Sequence, residues 1–346
     1  MALSELWAVE MLIAAFAGGA FGAALGALPA FIFTGFLVIA GETAVVANAE
    51  AGSITGSVAF GEPFSPAISF AGGAAAAAYA AKRGYMDSGF DYHNAKDIAF
   101  ALGTKPDVLA VGGLFGILGY WITIASQTYN LPWDPIAMGV TLSALAHRVA
   151  FGYPLVGKIR GDGPLDMSPF EREEIRVVGE AAADGDGETD GGTASRLAVE
   201  PWLPHQYKWA NVAAVSLVVG LLGAFIAMET GSIFLAFGIS AASLVFLNLG
   251  VERIPVTHHM SLIGSAGALA AVGGPDGSLL VGLIAGGVLG LISGLFGELF
   301  QRVFYSHSDT HWDPPAAAIV FGSFLIVILY IIGVFPSASY VPTLGF

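Results

Sequence analysis

The sequence contains no cysteine, and only 12% of its 346 residues are charged. Without a thiol the chain has no disulfide, no cysteine nucleophile and no cysteine-ligated metal or iron–sulfur centre. A soluble domain usually carries about 25% charged residues, so the low charge argues against an ordinary soluble protein. No phosphate-binding glycine loop, dinucleotide fingerprint, nucleophile elbow or HExxH zinc motif occurs in a suitable strand–helix context. These absences remove the enzyme classes that a sequence motif would identify, and we therefore expect no catalytic residues.

Lysine is also scarce, because only five of the 13 basic residues are lysines, against 27 acidic residues and a net charge of −14. Much of the acid lies in Gly179–Gly192, which cannot bury enough apolar surface to fold and is predicted to be a partly disordered connector. Acid-rich, lysine-poor composition is typical of proteins from halophiles, including archaea. The same charge would repel a nucleic acid, so no nucleic-acid partner is expected.

The sequence is instead strongly apolar and rich in glycine: 55% of residues are hydrophobic, mean hydropathy is +0.73 and 47 residues are glycine. A helix needs about 20 apolar residues to cross a bilayer. Ten runs approach that length, which predicts an all-α polytopic membrane protein of about ten transmembrane helices, with runs three and eight short enough to be re-entrant or broken. The runs are Leu6–Ala27, Ala30–Asn48, Pro66–Ala81, Asp107–Gln127, Asp134–Tyr153, Ala210–Met228, Ser232–Gly250, His258–Gly273, Ser278–Phe300 and Pro314–Phe335.

The positions of lysine and arginine predict the orientation, because these residues concentrate in cytoplasmic loops. If ten runs cross the membrane and the N-terminus is outside, all 13 basic residues fall in inside loops or at inside helix ends. We therefore expect a multi-pass protein of the cell membrane with both termini outside and the acidic connector in the cytoplasm.

Several segments in the first half of the chain resemble segments in the second half. Pro63–Ala78 aligns with Pro255–Ala270, and the Trp133-Asp134-Pro135 triplet has a counterpart at 312–314. The segment GGLFG at 112–116 likewise matches GGVLG at 286–290. We predict an internal duplication: a first membrane repeat over residues 1–155, a connector over 156–206 and a second repeat over 207–346. Each repeat holds five runs, an odd number, so the second would be inserted upside-down relative to the first.

Inverted repeats are a recurring plan of secondary transporters and some channels, whose binding sites lie where short, interrupted helices of the two repeats meet. The leading hypothesis is a transporter or channel, with the lipid bilayer and a small solute or ion as its partners. The predicted pathway combines the polar heads of runs three and eight with a carboxylate inside run two, since ionisable groups within a bilayer are costly. Its residues are Glu42, Ser65, Ser69, Thr257, His258 and Ser261.

The two WDP triplets have a structural and a functional interpretation. Asp is a favoured helix N-cap and Pro is favoured at the first helical position, so Asp134 and Asp313 are predicted helix caps. Alternatively, they gate the two mouths of a pathway. Glu298 lies four residues before Arg302, a spacing that suits an ion pair along a helix.

Two other functional classes stay open at this point. His307, Asp309 and His311 alternate before the second WDP, and such side chains can hold a divalent metal ion, the one cofactor that the sequence suggests. That site would make the protein a membrane metalloenzyme, although an enzyme is the less expected outcome. The third class is a scaffold or complex subunit, with glycine-rich helix faces serving a homo-oligomer. The sequence leaves the solute, its charge, any coupling ion and the choice between channel and carrier undecided.

Overall fold

The computed structural model describes residues 3–47, 54–176 and 196–346. Over these ranges the regular secondary structure is helical, and β-structure is limited to one isolated bridge between Ile175 and Leu197. The all-α class is therefore confirmed. The acidic stretch Gly179–Gly192, predicted to be a partly disordered connector, lies outside the described residues, as does the rest of 177–195.

Ten α-helices of 14 residues or more occur in the described ranges, and each begins and ends within four residues of one predicted apolar run. They are α1 (Val9–Leu25), α2 (Ala27–Val46), α3 (Ser69–Lys82), α4 (Pro106–Thr128), α5 (Pro135–Phe151), α6 (Trp209–Thr230), α7 (Leu235–Asn248), α8 (His258–Val272), α9 (Leu279–Phe304) and α10 (Pro314–Ile331).

Five of these helices, α2, α4, α6, α9 and α10, are long and apolar enough to cross a membrane. The described residues thus form an all-helical structure with five candidate membrane spans, which is consistent with a membrane-embedded protein. At 1.5 Å per residue, the 14-residue α3 and the 15-residue α8 extend roughly 21–23 Å, less than the bilayer core of about 30 Å. α3 and α8 come from the runs that the sequence marks as short, whereas α7, which also has 14 residues, comes from a run of near-spanning length.

The WDP aspartates begin two of the helices in the same way. The Asp134 carboxylate accepts a hydrogen bond from the Ala137 amide at 2.7 Å, and Asp313 accepts one from the Ala316 amide at 2.8 Å. Each is followed by proline at the first helical position, where no amide hydrogen is needed. The predicted cap role of both aspartates is confirmed.

The helices pair in the same pattern in each half of the chain. In the first half α1 packs on α3 and α4, and α3 and α5 both pack on α4. In the second half α6 packs on α8 and α9, and α8 and α10 both pack on α9. Further contacts join α3 to α5 and α8 to α10. The halves meet where α2 packs on α7 and where α5 packs on α10, and both of these packings join helices of the same rank.

Glycines allow the closest of these approaches, again at matching positions. A Cβ added to Gly19 on α1 would lie 2.2 Å from the Gly112 carbonyl oxygen on α4. One added to Gly220 on α6 would lie 2.6 Å from the Gly286 carbonyl oxygen on α9. Such distances leave no room for any side chain, so the GGLFG and GGVLG segments are sites of backbone-to-backbone packing.

The loops gather at two ends of the helical bundle. At one end, Lys96 from the α3–α4 loop contacts Glu200, which precedes α6. All 13 lysines and arginines lie in loops or helix ends at this side, which we call the basic end. At the opposite end, the Trp121 indole donates to the Leu6 carbonyl and the Tyr340 hydroxyl donates to Asp134. This side holds Leu6 and Tyr340, which are near the two ends of the described chain, and is called the terminal end.

The glycine contacts predict a stability difference between two Gly→Ala variants. Gly220→Ala must push α6 away from α9, so we expect it to lower the free energy of unfolding by about 1–3 kcal/mol, the usual cost of overpacking. Gly297→Ala on α9 is the control, because its added Cβ would meet no atom closer than 3.4 Å. Both changes raise helix propensity equally. Thermal unfolding in detergent gives the comparison, and equal midpoints for the two variants would contradict the packing argument.

Candidate functional site

A cavity of about 960 Å³ lies between the two halves of the helical bundle. It reaches from Asp134 and Tyr340 at the terminal end to Lys96 and Asp313 at the basic end. Its wall is formed by residues of α2, α3 and α5 from the first half, by residues of α7, α8 and α10 from the second, and by the loops at 90–99, 202–205 and 250–256. Most of the lining is apolar, so the few polar groups that reach it are the candidates for contact with a ligand.

The two WDP aspartates line the cavity and each has a second partner there. One carboxylate oxygen of Asp134 caps α5, while the other accepts a hydrogen bond from the Tyr340 hydroxyl at 2.9 Å. One oxygen of Asp313 caps α10, while the other lies 3.1 Å from Nε2 of His311. Near each end of the cavity there is thus one aspartate whose carboxylate caps a helix and also contacts a ring side chain.

His258 is the member of the predicted helix-head group that lines the cavity. It begins α8, is 6% exposed, and its ring centroid lies 4.7 Å from that of Phe31 and 5.8 Å from that of Phe237. Its Nδ1 atom is buried and has no hydrogen-bond partner among the described residues. The His258 ring therefore forms part of the cavity wall, while its Nδ1 atom is shielded from the cavity.

The other predicted helix-head residues are buried away from the cavity wall. The Ser69 hydroxyl donates to the Ser65 carbonyl at 3.3 Å, and Ser261 donates to the His258 carbonyl at 3.1 Å. The Thr257 hydroxyl lies 3.0 Å from that of Ser240 on α7. These hydroxyls form hydrogen bonds with another hydroxyl or with nearby backbone carbonyls, so their part in a pathway stays a prediction.

Glu42 lies near the terminal end of α2 and is buried, with 8% exposure. Its carboxylate accepts a hydrogen bond from the Ser232 hydroxyl, which precedes α7. Glu42 is not among the cavity-lining residues. The contact joins the two halves of the chain, so this geometry favours a role in helix packing, and the coupling role suggested by the sequence stays a prediction.

The three residues predicted to hold a metal ion have three different sets of partners. Asp309 forms salt bridges with Arg196 and, at 3.3 Å, with Arg176. His307 accepts a hydrogen bond from the Arg160 amide, and His311 contacts Asp313. Within residues 3–47, 54–176 and 196–346, no three His, Asp or Glu side chains are grouped as metal ligands would be. The metal site therefore stays a prediction without structural support.

A buried charge network at the basic end was not anticipated from the sequence. Lys96 forms a 2.6 Å salt bridge with Glu200, and Arg196 bridges Glu200 at 3.0 Å and also contacts Asp309. The Lys96 ammonium lies 4.5 Å from the ring centroid of Tyr305, and both side chains line the cavity. Two signals were available, the concentration of basic residues in these loops and the four-residue spacing of Arg196 and Glu200, whereas Lys96 and Asp309 are about 100 residues from their partners.

Burial and neighbouring charges shift the pKa values of the groups in this network. Burial lowers the pKa of Lys96 to about 8, although Glu200 opposes the shift. Burial alone would raise the pKa of Glu200, but Lys96, Arg196 and Arg176 together hold it below its ordinary value. Asp309 follows the same rule, since Arg196 and other cationic groups outweigh its burial and lower its pKa. The stability from these two carboxylates is therefore present above their ordinary pKa of about 4 and is lost as pH falls through the folded values.

The predicted pair on α9 is confirmed, since Arg302 Nε lies 2.6 Å from a Glu298 oxygen. Arg302 also donates to the carbonyls of Leu165 and Tyr207, which ties the connector to the end of α9. Arg148, at the end of α5, donates to Thr310 and stacks 4.8 Å from the Trp312 ring. These groups fix the loops at the basic end, around the cavity mouth.

These features define an all-helical protein with five candidate membrane spans and a cavity between two similarly paired sets of helices. The chain belongs to a family of unknown function, DUF7973, whose model matches residues 1–344. No curated protein and no solved structure matches the chain.

Loss of the buried ion pair between Lys96 and Glu200 is expected to destabilise the protein strongly. Glu200→Gln leaves Lys96 and Arg196 without their buried carboxylate, so we expect a loss of about 3–5 kcal/mol in the free energy of unfolding. The matched control is Glu174→Gln, which removes a 3.2 Å pair with Arg172 that is largely exposed and worth less than about 1 kcal/mol. Denaturant unfolding in detergent gives both values, and similar losses would show that the network adds little.

Proposed function

We propose that this protein passes a small solute across the membrane through the cavity between its two halves. One observation carries the proposal: the cavity extends between the two ends of the bundle, and both halves of the chain form its wall. Ligand sites of membrane transporters lie near the bilayer midplane between repeats, in the same relation to the fold. A scaffold subunit would need no such cavity, and no metal cluster among the described residues supports the metalloenzyme alternative.

The proposal includes about ten membrane crossings arranged as two inverted five-helix repeats. It is supported by the matching helix pairs of the two halves and by glycine contacts at corresponding positions. Gly72 on α3 approaches Gly19 and Gly112, as Gly264 on α8 approaches Gly220. Since each half contains an odd number of long helices, the second half would enter the membrane in the opposite direction.

The proposed orientation puts the basic end in the cytoplasm and both termini outside. Lysine and arginine are retained on the cytoplasmic side, and all of these residues lie at the basic end. The acidic segment 177–195 would then also be cytoplasmic, because it is joined to basic-end residues on both sides.

In this proposal each end of the cavity has its own closing contact. The Asp134–Tyr340 hydrogen bond closes the terminal end, and the Asp313–His311 contact, backed by Lys96 and Glu200, closes the basic end. Opening one contact while the other holds would expose the cavity to one side at a time. The similar halves make these two states close in energy, which is the condition for alternating access.

Cysteine accessibility tests the cavity without knowledge of the solute, since the chain has no cysteine of its own. Val140 on α5 lines the cavity, so Val140→Cys should react with a small water-soluble thiol reagent. Val327 on α10 is equally buried but packs against Ala338 and Val341, so Val327→Cys should not react. Thiols react as thiolates and need water around them. Equal reactivity of the two variants would count against a solvent-filled pathway.

The orientation has a separate test. Leu344 near the C-terminus and Asp162 in the connector are both exposed. On intact cells Leu344→Cys should be labelled by a membrane-impermeant thiol reagent, whereas Asp162→Cys should be labelled only after the membrane is permeabilised. Labelling of Asp162→Cys alone on intact cells would reverse the orientation while leaving the cavity argument unchanged.

A further inference from the structure

A row of aromatic rings runs along the cavity from one WDP aspartate to the other. Successive ring centroids lie between 5.1 and 5.9 Å apart, and every member lines the cavity. The first ring is hydrogen-bonded to Asp134 and the last contacts Asp313. In order from the terminal end, the row is Tyr340, Phe234, Phe60, Phe237, Phe31, Phe70 and His311.

Both halves of the chain supply the row. Phe31 on α2 and Phe70 on α3 belong to the first half, and Phe237 on α7 belongs to the second. Contacts between Phe31 and Phe237 therefore cross the boundary between the halves, where the cavity lies. The three rings are buried and pack with aliphatic side chains of the core, and each also forms part of the cavity wall.

The charges on the cavity wall favour a cation. Acidic side chains outnumber basic ones, and Lys96, one of the basic pair, is already bound to Glu200. The acidic residues that line the cavity are Asp91, Asp97, Asp134, Glu252 and Asp313, and the basic residues are Lys96 and Arg253.

Aromatic rings attract cations through their negative faces and also offer a large apolar contact. A bare metal cation needs several oxygen ligands, whereas the middle of this cavity is lined by rings and aliphatic side chains. Its volume of about 960 Å³ is near the upper limit of about 1,000 Å³ for sites that hold drug-sized molecules. The space therefore suits a bulky organic ion better than an inorganic one.

We propose that the cavity binds a hydrophobic organic cation, a quaternary or protonated amine with aromatic or aliphatic substituents, and that the row of rings carries it between Asp134 and Asp313. The inference deepens the proposed function, on which it rests, by naming the class of solute. His258, whose ring contacts Phe31 and Phe237, adds an imidazole ring near the middle of the row.

Tetraphenylphosphonium and tetraphenylborate provide a matched test, because they have nearly the same size and shape but opposite charge. Equilibrium dialysis of the purified protein in detergent should show saturable binding of tetraphenylphosphonium above its partition into protein-free micelles. Tetraphenylborate should show only the partition. Equal binding of the two ions, preference for the borate, or binding of neither would overturn the inference.

Variants locate the binding in the cavity. Phe237→Leu removes one ring of the row and should weaken tetraphenylphosphonium binding about five- to thirty-fold, as expected for loss of a desolvated cation–aromatic contact. Asp134→Asn should also weaken it, while asparagine still caps α5. Phe225→Leu is the control, because Phe225 on α6 is exposed and is not part of the cavity wall. If Phe237→Leu and Asp134→Asn both bind like the control, the ion is not in the cavity and the inference fails.

The same assays separate this inference from the proposed function. If Val140→Cys reacts with the thiol reagent but tetraphenylphosphonium does not bind, the solute class is wrong and the pathway survives. If Val140→Cys is no more reactive than Val327→Cys, the pathway itself is wrong. Protection of Val140→Cys by tetraphenylphosphonium, but not by tetraphenylborate, is the outcome expected when both proposals hold.

Discussion

The structure depends on direct contact between the backbones of membrane helices. Lipid tails are as apolar as leucine, so no hydrophobic force joins helices within a bilayer, and close packing must do so. Gly19 and Gly220 bring α1 to α4 and α6 to α9 within reach of backbone atoms. These four helices pack against one another within their own halves. Of their residues, only Gln127 lines the cavity. The other six helices are left to face the space between the halves.

Much of the helical organisation could be predicted because its causes are local. Apolar runs mark the helices, and an aspartate before a proline marks a helix start, as Asp134 and Asp313 demonstrate. The Glu298–Arg302 pair follows from the spacing of one helical turn. None of these features requires knowledge of which helices are neighbours.

The cavity could not be predicted, because its lining is set by contacts between distant parts of the chain. Phe31 and Phe237 are ordinary apolar residues in sequence, and only the packing of α2 on α7 makes them neighbours. The Lys96–Glu200 pair likewise joins two loops whose charges appear solvated in sequence. Polar residues at the helix heads were the visible candidates, but Ser69 and Ser261 satisfy their hydroxyls on nearby backbone.

The two WDP triplets connect helix formation with the proposed movement of solute. A carboxylate has two oxygens, and capping the following helix uses one of them in both Asp134 and Asp313. The second oxygen holds Tyr340 in one case and His311 in the other. An organic cation that reaches either aspartate would compete for that second oxygen, and it would release the ring that closes the cavity there. Binding and opening would then be coupled, because the cation would attract the same oxygen that holds the ring and weaken that contact, and the capped helix would keep the carboxylate in place throughout.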